Sequence, residues 1–155
     1  MKKEKTSIVV SMVLTAALVP ALGFLAFWLP VLVPSLIDTV DNIGNRASIS
    51  AAGRAFVLID AYVMLAVALA AVILLFCLLR VILDGRVFSG KVTRLLSGVS
   101  YCCFAEAVLF LVLFPYFQLA ACGAIAVCFI AVCLRVVRNV IAEAGRIKSE
   151  NDLTI

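Results

Sequence analysis

Glu106 is the residue best placed to do chemistry in this chain. It stands near the centre of an apolar run, and no Lys, Arg or His lies at comparable depth in any other run. An acid at the middle of a membrane-crossing helix costs about 2.5–3.5 kcal/mol on insertion scales, so it defaults to a functional position. A carboxylate without an ion partner in low dielectric tends to hold its proton. Two readings stay open. Glu106 is either a neutral acid that locks helices together through Ser11, Thr15 or Tyr62, or a site for a proton or ligand. Asp60 is the second acid inside an apolar run, roughly two helical turns past Arg54. Its place near a helix N-terminus favours negative charge, and it is expected to be solvated at the membrane interface. Sharing a proton with Glu106 requires the two helices to face each other with an axial offset. Glu106, Asp60 and Tyr62 together form the candidate intramembrane polar site.

Other chemistry finds little footing. The chain has no histidine to activate Cys or Ser, no Gly-rich phosphate loop before a helix, and no carboxylate cluster for a metal. Its six cysteines (Cys77, Cys102, Cys103, Cys122, Cys128 and Cys133) lie in apolar runs without a Cys-x-x-Cys pair. They are expected to pack as small hydrophobes rather than to form disulfides or bind zinc. The reading is a non-enzyme with no catalytic residue, no metal and no cofactor.

The elements that must carry these residues are membrane spans. Of the 155 residues, 66% are hydrophobic and 14% charged, where soluble domains run near 45–50% and 25%. Four spans of roughly 20 residues fit, which gives an all-α polytopic four-helix bundle in a single domain over 1–155. The spans are expected at about 7–33, 55–79, 95–114 and 119–137, with a cytoplasmic helical tail at 138–155. Pro20 is expected to kink the first span, and Trp28, Pro30 and Pro34 to mark its far end. The run is too long for a secretory signal, so it is read as uncleaved. Residues 34–54 read as an outer polar loop with a turn at 42–45, and Ser50 and Ser89 as helix N-caps. Small residues that let backbones approach recur on single faces: Ala17 and Ala21, Ala66 and Ala70, and Ala120, Ala124, Cys128 and Ala131. These faces serve packing within the bundle or a homo-oligomer contact.

Residues 80–94 set the orientation. This basic island carries Arg80, Arg86, Lys91 and Arg94 against Asp84, and both chain ends carry further bases. The two remaining connections have no positive excess. Loops rich in Lys and Arg stay cytoplasmic, so both termini are expected inside. The net charge of +4 fits this loop bias better than direct nucleic-acid binding.

Residues 85–89, Gly-Arg-Val-Phe-Ser, with Leu95-Leu96-Ser97 after them and the ending Glu-Asn-Asp-Leu-Thr-Ile at 150–155, resemble a small bacterial membrane protein family designated domain of unknown function 2975. The resemblance covers nearly the whole chain, and the ending is its most specific part. It implies a four-span inner-membrane protein with no assigned activity. It also implies a cytoplasmic partner, since such genes often stand beside one for a helix-turn-helix regulator. Arg86, Phe88 and Lys91, with the tail residues Glu150, Asn151, Asp152, Leu153, Thr154 and Ile155, become candidate partner contacts. Glu106 lies outside these motifs. As an alternative, it supports a small transporter or proton-coupled carrier.

Overall fold

Long uninterrupted runs of Ala, Val, Leu and Ile hold four helices in a computed structural model that describes residues 2–44, 49–85 and 89–152. The first helix, α1 (Lys2–Gly44), is followed by α2 (Ala51–Leu83), α3 (Gly90–Leu113) and α4 (Ala120–Asp152). No strand occurs among the described residues. Each helix is long and apolar enough to cross a membrane. The fold is the all-α, four-helix, multi-pass membrane architecture that composition led us to expect. Bulky apolar side chains point outward along it, Phe27 at 80% exposure and Phe129 at 68% among them. Water would not support that surface, and lipid does.

The helices are longer than the expected spans: α1 and α2 overrun at both ends, α3 begins five residues early, and α4 continues through the expected helical tail to Asp152. At 1.5 Å per residue, α2 and α4 are each about 50 Å long, against a hydrocarbon core of about 30 Å. The largest departure is in α1, which runs unbroken through Pro20, Pro30 and Pro34. The expected end near residue 33 and most of the expected outer loop are therefore helix. The expected turn at 42–45 is replaced by helix through Gly44, and Asn45 lies outside the described residues. Packing explains why the prolines fail to stop it. Ile37 is wholly buried and clusters with Leu29, Val33 and Val57, and Asp38 pairs with Arg54 of α2 at 3.0 Å. Tertiary contacts of this kind override the local helix penalty of proline.

The caps divide. Ser50 caps α2, its Oγ accepting from the Gly53 N–H at 3.2 Å. Ser89 occupies the N-cap position of α3, but its side chain makes no capping bond. The turn through residues 114–119 is tight, with the Tyr116 and Phe117 N–H groups both donating to the Leu113 carbonyl. Gly85 takes φ +75° at the end of α2, a conformation that side chains other than glycine's disfavour.

Helices pack in chain order. The α3–α4 contact is the most extensive, followed by α2–α3 and α1–α2, and among the described residues the α1 backbone does not approach α3 or α4. Small residues set the tightest joint, since Ala120, Ala124 and Ala131 are buried where α4 meets α3. A Cβ on Gly123 would stand 3.0 Å from the Phe110 ring. By contrast Ala17, Ala21, Ala66 and Ala70 are exposed. They pack against no neighbouring helix of this chain, so the packing within the bundle expected of these two rows does not occur there. Cys77, Cys122 and Cys133 are exposed as well, and all six cysteines are free thiols.

Candidate functional site

The two acids within the apolar runs are carried by α2 and α3, Asp60 on the first and Glu106 on the second. Asp60 is 7% exposed, so the solvated interfacial position expected for it does not hold. One turn before it, Val57 is buried against Leu29, Val33 and Ile37 of α1. The Asp60 Oδ2 and Glu106 Oε1 atoms are both buried and both lack a hydrogen-bond partner. A buried oxygen in that state costs roughly 1–3 kcal/mol.

Glu106 projects from α3 toward α2 at the level of Ala68 and lies within electrostatic reach of Asp60. Eight residues of helix separate Ala68 from Asp60, an axial offset of about 12 Å. The two acids feel each other's field, yet no hydrogen bond joins them. Two of the three side chains expected to satisfy Glu106 are engaged elsewhere. The Thr15 hydroxyl donates to the Ser11 carbonyl at 2.8 Å, within its own helix. The Tyr62 hydroxyl donates across to the Ala26 carbonyl of α1 at 3.4 Å. That carbonyl is the one Pro30 leaves without its helical N–H, so Tyr62 repairs a proline defect. Of the three residues assigned to the intramembrane site, Glu106 and Asp60 therefore lie at different levels of the bundle without touching, and Tyr62 serves the backbone.

The other candidate surface lies where α2 ends and α3 begins. Leu78, Val92 and Leu96 form a buried cluster there, and Val81, Ile82, Leu134 and Ile141 pack onto it. Ile141 belongs to the part of α4 beyond the expected fourth span. Its contact brings the base of the C-terminal extension against the basic island. Lys91 is exposed on the first turn of α3, and Glu150 is exposed and paired with Arg146 at 3.6 Å. Asn151 and Asp152 close the helix, while Arg86, Phe88, Leu153, Thr154 and Ile155 lie outside the described residues.

Two interactions escaped the reading of the sequence. Ser100 is 2% exposed and its hydroxyl donates to the Ala131 carbonyl at 3.0 Å, bonding α3 to α4. Arg135 lies over the Tyr101 and Phe104 rings at 5.3 and 5.7 Å and donates to the Tyr101 hydroxyl at 3.2 Å. A cation held by aromatics in this way marks an interface depth. The i, i+3 spacing of Tyr101 and Phe104 was the available signal. Among the described residues no group of three or more His, Cys, Asp or Glu could hold a metal.

A family model described as "Protein of unknown function (DUF2975)" matches residues 3–155. Neither a curated protein nor a solved structure matches the chain.

Proposed function

Because the chain belongs to the DUF2975 family, whose description assigns no activity, we propose a function from its geometry: a non-enzymatic inner-membrane protein that engages a regulatory partner in the cytoplasm. The docking surface is the end where residues 80–94 meet the α4 extension. One observation carries this reading, the packing of Ile141 onto the cluster of Leu78, Val92 and Leu96. It sets the base of the C-terminal extension beside the island, and in this reading the tail beyond it completes the same surface. Lys91, Arg94, Arg138, Arg146 and Lys148 give this end a basic character that suits an acidic partner surface. The resemblance to the family points to a helix-turn-helix regulator as that partner.

Lys91→Glu with Arg94→Glu, and separately deletion of residues 150–155, are expected to abolish recovery of the partner with the detergent-solubilised protein. Membrane insertion and melting should stay as in the parent, since Lys91 and Arg94 are exposed. Equal partner recovery from parent and both variants would remove the proposal.

The unpartnered oxygens of Asp60 and Glu106 favour a second reading, in which the α2–α3 joint binds a proton or cation for a small carrier. Glu106→Gln keeps the shape and removes the charge. Loss of proton flux in vesicles from this variant, with Asp60→Asn giving a partial loss, is the outcome the carrier reading requires. Flux indifferent to both changes eliminates it.

A further inference from the structure

At the Tyr116 end, α1 stands off from α3 and leaves a partly open cavity of about 700 Å³. Val33 and Leu36 of α1, Val57 and Ala61 of α2, and Phe110 and Leu113 of α3 supply its walls, and no lining side chain is charged. Its size lies within the range of small-molecule pockets. Water is a poor occupant, because stable buried water needs two to four polar partners and this lining is nearly all apolar. An empty space of this volume would forfeit packing along every wall. The helices that wall it are each long and apolar enough to cross a membrane, so an acyl chain is the apolar occupant within reach of the opening.

The polar groups of the cavity gather at the α3–α4 turn. Tyr116 and Gln118 line that rim, and neither side chain has a hydrogen bond to the protein among the described residues. The Tyr116 ring is held against Phe56 at 6.0 Å, which fixes it at the mouth. Beside them, Asp38 and Arg54 neutralise each other at 3.0 Å.

We propose that this cavity is a lipid-binding site, holding one acyl chain of a membrane lipid between α1, α2 and α3, with an uncharged hydrogen-bonding group of that lipid at Tyr116 and Gln118. The apolar walls take the chain, and the rim selects hydroxyl or ester oxygens over a phosphate. This site is independent of the partner surface, which lies at the opposite end of the helices.

Full-length protein in phosphatidylethanolamine–phosphatidylglycerol vesicles, doped with a trace of diazirine-acyl phospholipid, is irradiated, and adducts are mapped by peptide mass spectrometry. Labelling is expected to concentrate several-fold on peptides bearing Leu113 and Tyr116 over those bearing the lipid-facing Ile125 and Phe129, saturating near one lipid per chain. Leu36→Trp fills the cavity from a position that is 55% exposed, so the core is not burdened. It should erase the preference while leaving adducts at Phe129. Leu119→Trp, from a position 81% exposed, provides a second plug should the first fail to insert. Equal labelling of cavity and outward faces, or a preference that survives both plugs, overturns the site. So does modification of Leu113 by a water-soluble diazirine in the same vesicles.

Discussion

Tyr62 and Pro30 show how single residues hold this molecule together. Pro30 cannot donate to the Ala26 carbonyl, and the Tyr62 hydroxyl on α2 takes that place at 3.4 Å. Removing the hydroxyl in Tyr62→Phe should cost about 0.6–1.7 kcal/mol, the span of interhelical hydrogen bonds measured in membranes. The same change in a Pro30→Ala background should cost little, because alanine restores the helical N–H. Unfolding in mixed micelles, run as a double-mutant cycle, checks this, and additive effects would contradict it. Ser100→Ala belongs to the same class, with a loss of similar size at the α3–α4 joint, since its hydroxyl donates to Ala131 at 3.0 Å. Glu106 was legible in the sequence because a charge in an apolar run stands out whatever surrounds it. Asp60 and Tyr62 were not, because their surroundings depend on how far α1 extends, and Ser100 looks like any small residue until α4 is laid against it.

Elements were easier to locate than to delimit. Four apolar runs separated by polar or turn residues specify four helices, and that part of the fold was readable directly. Their ends were not, because hydropathy falls where the lipid ends while a helix ends only where its backbone loses support. Pro34 looks like a terminator, yet Ile37 is buried against Val57 and the helix persists. Past Val137, where the fourth apolar run ends, the helix expected at 138–155 does continue α4 to Asp152, but what supports it, Ile141 packed on the α2–α3 cluster, could not be read from hydropathy. That contact is the first support of the extension outside the spans. Ile141→Asn should therefore loosen the last turns of α4 without disturbing the α3–α4 joint. In hydrogen exchange, amides of 142–150 are expected to lose protection in the variant and those of 124–131 to keep it. Unchanged exchange over 142–150 would mean that the extension is stable on its own, and the partner surface would lose its rigid base.

At the scale of the whole molecule, four consecutive crossings would return the chain to the side on which it began, with the starts of α1 and α3 and the ends of α2 and α4 on one face and the α3–α4 turn on the other. Which compartment each face meets is a matter of charge. The island end gathers Arg80, Lys91, Arg94, Arg135 and Arg138 against Asp84, whereas at the other end Asp38 pairs with Arg54 and Asp41 adds a further acid. Lys and Arg in short loops resist translocation. Alkaline phosphatase fused after Ile155 should accordingly be inactive, and the same enzyme inserted between Asn45 and Arg46 active, with fluorescent-protein fusions giving the reverse pattern. Because the bias rests on few residues, it is reversible by design. Replacing Arg80, Arg86, Lys91 and Arg94 with Gln while adding three Lys beside Asn45 should move a measurable fraction of chains into the opposite orientation. Should the charge-swapped chain keep a single orientation, the long apolar α1, rather than the island, sets the topology, since a first span can dominate insertion. The basic end would then owe its charge to what binds it.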